Sequence, residues 1–557
     1  MKADLIFVNG EVMTVNHHNS VEEAVAVKEN RVIAVGTTEE IMKLATVHTN
    51  IIDLEGKSLM PGFIDAHIHL TIYGTNLLGV SCIEPHLQSL EDLFLELREK
   101  ARTTPKGQWV RAWGFKESTF KENRYPTKEE LDFISTDHPI VIIRTCNHTS
   151  IVNSKALEIA GIMETTPNPE GGIIEKNPDG RLTGRMIENA HMQIFEHAGY
   201  SNEEIRKGMK LASDEFIKSG ITSIHDAGGY GEGSETIRMM QQAIKAEEVK
   251  VRVYAMIGSL TNSHAFVRKM VDAGPVSGLG DDHFKIGPAK LFTDGSSVGP
   301  TIATREGYTH APEDKGIIYY SQEELNRIMG EAHAKGFQLT AHAQGDRAIE
   351  MLLNCYESAL AKHPREDHRH RIEHAGIAPS DLQERMKKLG VVITPNPVFI
   401  YANGDKYLQY YGERTEVMYP ARDFIDQDII AAFGSDAPVT FLDPLLGIHA
   451  AVNRESMGGN VVGEKQRISV MEAVRAYTWN GAYASFEEKN KGSIEIGKLA
   501  DFVILNKSIL KEPITTIKDL KVVLTMIDGK VQYDAQNLSR THEKRGDGSL
   551  ASLYLGR

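Results

Sequence analysis

The sequence predicts an α/β protein: a (β/α)8 TIM barrel with a large insertion after its first strand and a small β-sandwich built from both termini. Three observations predict this. Eight strand-like stretches, at 62–70, 221–226, 251–257, 283–292, 337–343, 371–375, 391–395 and 429–434, alternate with helical patterns such as 323–334 and 346–360. Roughly 150 residues separate the first two stretches, far more than any crossover needs. Both ends of the chain read as short strands joined by tight turns. The main rival, a doubly wound open sheet, lacks a Gly-x-Gly-x-x-Gly turn after an early strand.

Length and composition agree with that reading. A chain of 557 residues exceeds the roughly 250 to 300 that one ordinary core supports. Hydrophobic residues at 41% and charged residues at 25% describe a soluble globular protein. Lys plus Arg is 62 against 76 Asp plus Glu, a net charge of −14. That balance gives no general electrostatic footprint for nucleic acid or an anionic membrane. No apolar run approaches the ~20 residues needed to span a bilayer. Cys82, Cys146 and Cys355 lie far apart, which excludes a disulfide framework and a cysteine-based zinc site. With no secretory pattern at the N-terminus, the expected location is the cytoplasm.

The elements follow in order. Leu5-Ile6-Phe7-Val8, Asn9-Gly10 and Glu11-Val12-Met13-Thr14-Val15 predict a hairpin, and residues 24–27 and 31–35 predict a second around Glu29-Asn30. Near the other end, Val522-Val523-Leu524-Thr525-Met526-Ile527 meets Lys530-Val531-Gln532-Tyr533 across Asp528-Gly529. One β domain assembled from 1–60 and 485–540 is expected, with two separate β appendages as the alternative. The barrel then occupies 61–484, interrupted at about 71–215 by a subdomain with its own strand at 139–145 and Gly-rich turns. Loops after barrel strands surround an active site at the C-terminal face, so this insertion is expected to shape a substrate pocket. Residues 541–557 are polar and read as a mobile tail.

His67-x-His69 ends the first strand, and residues i and i+2 of a strand face the same side, so both imidazoles can converge on one ion. Alone the pair is weak evidence among 22 histidines. His368-x-His370 has the same spacing, but its charged setting reads as a solvated loop before a strand. The first pair gains weight from the other strand ends: Lys290 in strand four, His342 after strand five, His374 after strand six and Asp436 after strand eight. Each also has a plain structural reading, as a capped core histidine, an N-cap or a snorkelling lysine. A barrel would bring them all to one face.

Pro61-Gly62-Phe63-Ile64-Asp65-Ala66-His67-Ile68-His69 resembles the strand-one signature of the amidohydrolase superfamily. Further stretches narrow the resemblance to its YtcJ-like branch, amidohydrolase family 3, which includes N-substituted formamide deformylase. They are residues 147–157 (Asn147-His148-Thr149 onward), Ala341-His342-Ala343-Gln344-Gly345-Asp346, Arg371-Ile372-Glu373-His374-Ala375, Gly434-Ser435-Asp436-Ala437-Pro438 and 492–501. The match runs in order from about Ala3 to Tyr533.

The resemblance implies a metal-dependent amidohydrolase that cleaves a non-peptide C–N bond, an amide of the N-formyl or N-acyl type, by attack of a metal-bound hydroxide. It implies two divalent metal ions, read as Zn2+ with manganese, cobalt or iron as alternatives: His67, His69 and Asp436 hold one, His342 and His374 the other, and Lys290, carboxylated by carbon dioxide, bridges them together with hydroxide. A lysine ammonium has no lone pair, so the carbamate is needed for ligation. Asp436 becomes the general base and acid, and His148 a candidate to hold the carbonyl oxygen. The implied partner is a small-molecule amide, with a homodimer allowed. Cys146-Asn147 stands where the family often has Asp-Gly, and Gly299-Pro300-Thr301 where Ser-Arg-Thr is common; Asp294-Gly295-Ser296-Ser297 is expected to line the pocket. These departures leave the substrate open: an ester, carbamate or cyclic amide is the alternative, and a catalytically silent binding protein the reading from another class. Cys146 has no pairing logic for a nucleophile.

Overall fold

The computed structural model of the protein describes residues 2–83, 87–144, 149–229 and 233–540. The tail at 541–557, Cys146 and His148 therefore lie outside the described residues.

Seven parallel strands form one sheet in sequence order: Phe63–Ile68, Ile221–Asp226, Arg252–Ile257, Phe284–Phe292, Leu339–Ala343, Arg371–His374 and Val392–Thr394. They are strands one to seven below. The eighth stretch, 429–434, forms no regular ladder, yet it is bonded on both sides. Ile393 N donates to Ile430 O and Ala432 N to Ile393 O, each at 2.9 Å. On the other side Ala66 N donates to Phe433 O at 3.0 Å and Asp436 N to His67 O at 2.7 Å. These bonds close the ring into a TIM barrel. Every residue of strands one, two and three is buried, as expected for parallel strands covered on both faces. The helix Gln322–Ala334 shows why its sequence is helical: Leu325, Ile328, Met329 and Ala332 recur on one face and are buried. Ser321 caps it, its side chain accepting from Glu324 N.

Two further sheets lie outside the barrel, one built from N-terminal strands alone and one from both termini. Leu5–Val8, Ala24–Lys28, Arg31–Gly36 and Asn50–Asp53 form one. The other joins Glu11–Met13, Val21–Glu22 and Ser58–Pro61 to Phe502–Leu505, Val522–Ile527 and Lys530–Asp534. Within it Phe502 pairs with Pro61 and Ile504 with Leu59, so the two ends of the chain share one sheet. Phe7, Val25 and Ile52 of the first sheet and Val12, Leu59, Phe502 and Leu524 of the second belong to one buried cluster. The Phe7 and Phe502 rings meet edge to face at 6.0 Å.

One expected hairpin does not form. Leu5–Val8 pairs with Ala24–Lys28 and Asn50–Asp53, whereas Glu11–Met13 pairs with Val21–Glu22 and Ser58–Pro61. Asn9 takes the positive φ that the turn signal demands, 55°, but the turn carries the chain from one sheet into the other. It passes directly over Leu54, where a Cβ on residue 10 would sit 2.1 Å from Leu54 Cδ1, so only glycine fits. The other two hairpins form, with Glu29 at φ 54°, and Asp528 and Gly529 at 54° and 69°.

Thr71–Ala212 is a separate compact unit. Its six-stranded sheet runs in the order Gly172–Lys176, Leu182–Glu188, Thr149–Val152, Ile140–Arg144, Val110–Phe115, Val80–Ser81. Leu93, Leu97, Phe115 and Ile142 centre one apolar cluster of this unit, and Val152, Leu157, Met186 and Ile194 a second. Among the described residues no helix is long and apolar enough to cross a membrane.

A buried ion pair fastens the barrel to the sheet shared by the termini. Arg252, on strand three, donates from Nε to Asp501 Oδ2 at 2.7 Å and from Nη2 to Asp501 Oδ1 at 3.0 Å and Asp528 Oδ1 at 2.6 Å. Removing one member of a buried pair strands the other's charge, at a cost of about 3–5 kcal/mol. Arg252→Ala is therefore expected to lower the free energy of unfolding by about that amount in urea titration. A loss of less than about 1 kcal/mol would show that water or a neighbour neutralises the two carboxylates.

Candidate metal centre

Strand one delivers His67 and His69 to the interior, 1% and 4% exposed. Gly434 lets the eighth stretch come close enough: a Cβ there would lie 2.6 Å from His67 N. Asp436 follows, with a left-handed φ of 59° that is uncommon outside glycine. The result is one compact group. Ligating atoms of His67, His69 and Asp436 all lie within 4.8 Å of one another, with His69 Nε2 3.2 Å and His67 Nε2 3.4 Å from Asp436 Oδ1.

His342 and His374 extend this group ring by ring. The His374 ring lies 4.6 Å from that of His67 and 4.6 Å from that of His342. Lys290, fully buried on strand four, places Nζ 3.3 Å from His67 Nε2. The structure thus brings His67, His69, Lys290, His342, His374 and Asp436 to one end of the barrel, as their strand-end positions required. Consecutive residues of a regular strand point to opposite faces, yet Glu373 and His374 both reach His67. The left-handed φ of His374, 73°, and of Ala375, 46°, break the alternation and turn His374 inward.

The hydrogen bonds decide which nitrogen of each ring is free. His67 Nδ1 donates to Glu373 Oε2 at 2.5 Å, and His69 Nδ1 to the Gly228 carbonyl at 2.6 Å. His342 Nε2 donates to the Gly295 carbonyl at 2.8 Å. His374 Nδ1 donates to Asn396 Oδ1 at 2.6 Å, and the amide is oriented by its own Nδ2 donating to Gly434 O at 2.9 Å. Carboxylate and carbonyl oxygens only accept. Each ring therefore carries its proton on the bonded nitrogen and offers a lone pair on the other. Burial depresses the pKa of His67, where the Lys290 charge reinforces it, and of His374 well below the ordinary imidazole value, and lowers His342 to about 4. Neutral imidazoles beside a carboxylate are good ligands for a divalent cation, so the donor set fits a metal.

The charges around this set are arranged to keep it so. Burial pushes the Lys290 ammonium down to about 8 against the attraction of Glu373 and Asp436. Burial would raise the Asp436 carboxyl, but its close contact with His69 and the charge of nearby Lys290 outweigh that and hold it below its usual value. Asp294 accepts from the backbone N–H groups of Ala303, Gln344 and Gly345 at 2.8–3.0 Å and is pushed up to about 7 by burial. Of the expected pocket segment, Asp294 and Ser297 are buried and Gly295 holds His342.

The residues that orient these histidines were not singled out from the sequence. Glu373, Arg371, Asn396 and Thr340 are all fully buried. Arg371 and Glu373 sit at i and i+2 on strand six, and two charges on one face of a barrel strand are the signal that could have found them. The reading of His368-x-His370 as a solvated loop is corrected: the two are 4% and 0% exposed. Every ring nitrogen there is committed. His368 Nε2 donates to Leu389 O and its Nδ1 accepts from His370 N; His370 Nδ1 accepts from Leu339 N and its Nε2 faces His333 Nδ1 at 3.0 Å. No lone pair remains for an ion, and the cluster fastens the start of strands five and six.

Partners that orient ligating histidines are commonly worth about 10- to 100-fold in metal affinity. Glu373→Gln, which weakens the acceptor for His67 and leaves Arg371 without its counter-charge, is expected to lower the affinity for Zn2+ by that factor in chelator competition. Affinity equal to wild type would mean that His67 needs no fixed partner.

Comparison with known proteins agrees with this geometry. The amidohydrolase family matches residues 50–533. N-substituted formamide deformylase of Arthrobacter pascens is 30% identical over 550 residues, 95% of this chain and 98% of that one. Putative amidohydrolase YtcJ of Bacillus subtilis is 30% identical over 543 residues, 96% and 100% of the two chains. An uncharacterized metal-dependent hydrolase from Pyrococcus horikoshii OT3 superposes with a TM-score of 0.75 at 25% identity, covering 92% of this chain and 99% of its own. With a barrel, a histidine–aspartate cluster at its strand ends and a family match over most of its length, the chain belongs to the amidohydrolase family.

Proposed function

We propose that the protein hydrolyses the C–N bond of a small-molecule amide of the N-formyl or N-acyl type. The observation that carries this reading is the set of four imidazoles, each with one nitrogen tied back and the other free beside Asp436 and Lys290. His67, His69 and Asp436 would hold one Zn2+, His342 and His374 a second, and Lys290 would bridge them as a carbamate. Bound metal supplies a Lewis acid for the carbonyl oxygen and lowers the pKa of water at the site. Asp436, ionised at neutral pH, accepts the proton of the attacking water and returns it to the leaving nitrogen, which departs as an amine. Lys290 is suited to carbamate formation because its lowered pKa leaves a fraction of neutral amine at neutral pH, and only the amine has a lone pair for carbon dioxide. His148 is assigned to the carbonyl oxygen as a hydrogen-bond donor, and the substrate is a small-molecule amide, with the cytoplasm as its setting.

Three variants separate the assigned roles on an amide panel. Lys290→Ala is expected to lose most bound metal and turnover, with partial rescue by a short carboxylic acid plus Zn2+; undiminished turnover would sink the carbamate. Asp436→Asn is expected to keep metal while kcat falls by about 10² to 10⁴, the worth of general acid–base catalysis, and the acidic limb of its pH–rate profile shifts or vanishes. An unchanged limb would move the base elsewhere. His148→Ala is expected to lower kcat by about ten- to a thousandfold at wild-type metal content, whereas metal loss would make it a ligand.

A further inference from the structure

His225, on strand two, is fully buried beneath the metal centre, and its Nδ1 lies 2.8 Å from Arg371 Nη1. A guanidinium only donates. Nδ1 must therefore accept, and the ring must be neutral with its proton on Nε2. Nothing else imposes that choice: among the described residues neither His225 Nε2 nor Ser223 Oγ, two residues back on the same face, has a hydrogen-bond partner. A buried N–H without a protein acceptor is costly, and the ring takes that orientation where only Arg371 rewards it.

The contact leads directly to a proposed ligand. Arg371 donates from Nε to Glu373 Oε1 at 2.8 Å, and from Nη2 to Glu373 Oε2 at 3.0 Å, Ala66 O at 2.7 Å and Thr394 Oγ1 at 3.1 Å. Glu373 Oε2 in turn accepts from His67 Nδ1. Every link is a donor facing an acceptor, and the line crosses the barrel from strand two to strand six and back to strand one.

We propose that His225 is a positioning residue for the metal centre: by accepting from Arg371 it fixes the guanidinium that holds Glu373, and so sets the ring of His67. The inference rests on the reading of His67 as a ligand. The competing role is packing alone, since the Tyr254 ring lies 5.3 Å from that of His225. A filler needs bulk, whereas a positioning residue needs an acceptor.

Two full-length variants distinguish these roles. His225→Leu keeps bulk without an acceptor; His225→Asn keeps an acceptor near the Nδ1 position with less bulk. Zn2+ affinity by chelator competition is read beside the thermal midpoint. The expected result is binding about tenfold weaker in H225L and close to wild type in H225N, even where both lose thermal stability. Equal affinity in H225L and wild type overturns the proposal, as does H225N binding as poorly as H225L. Should H225L not fold, histidine-selective 15N NMR of the wild type answers instead, with the signal assigned by its loss in H225N. A neutral ring protonated at Nε2 at pH 7 supports the proposal, and an Nδ1–H ring or an imidazolium overturns it. Wild-type protein that binds no zinc would refute the metal centre itself, a result distinct from equal affinities in the two proteins.

Discussion

Arg371 carries a charge that cannot be discharged into the barrel interior, and its accommodation constrains most of the ring. A buried ion is tolerated only when its counter-charge and all its hydrogen-bonding positions are supplied. Here the supply comes from strand one through Ala66, strand two through His225, strand six through Glu373 and strand seven through Thr394. Thr340 of strand five adds a donor to Glu373. The pair acts as a polar floor, and His67 stands on it. The same low dielectric that makes an unpaired charge costly makes this fully paired one stiff. Stiffness below the site is what a convergent set of ligands requires, because a histidine free to rotate would lose its lone pair's direction.

Register reaches the site from the other direction as well. Ser58–Pro61 lies in the sheet shared by the termini, and one residue later strand one begins. Gly62 at the junction packs against Thr222, where a Cβ would meet the Thr222 side chain at 2.2 Å. The position of His67 along the barrel axis is thus set jointly by its bonds to the eighth stretch and by a strand anchored to the far end of the chain. Terminal sheets of this kind belong to the architecture of the site rather than to its periphery.

Much of this was legible in the sequence, for identifiable reasons. The barrel declared itself through apolar stretches at regular spacing. The ligand candidates showed through because strand ends are the one place where barrel topology and chemistry coincide. Arg371, Glu373 and Asn396 stayed hidden because periodicity describes which face a residue occupies, not whether a buried face is polar. His368 and His370 were misjudged because their neighbours in sequence are charged, while in space they lie against His333 and the start of strand five. The Asn9-Gly10 turn gave the right backbone and the wrong partner: a local signal fixes a dihedral angle, and pairing is settled by strands farther along the chain. The regular ladder missing at 429–434 had no sequence signature at all.

Closure through that stretch has a consequence for how the chain is made. Strand one can meet its neighbour on one side only after the residues near Phe433 exist, and Ser58–Pro61 can meet Phe502–Leu505 only later still. Contacts of such high sequence separation are slow to form, because the loop they enclose must be ordered first. During synthesis the earliest strands therefore wait with open N–H and C=O edges while nearly the whole chain is still to be translated, and open edges are templates for pairing with other chains. The hazard of aggregation in this protein lies in that interval on the ribosome, and a chain stopped short of its last sheet cannot leave it.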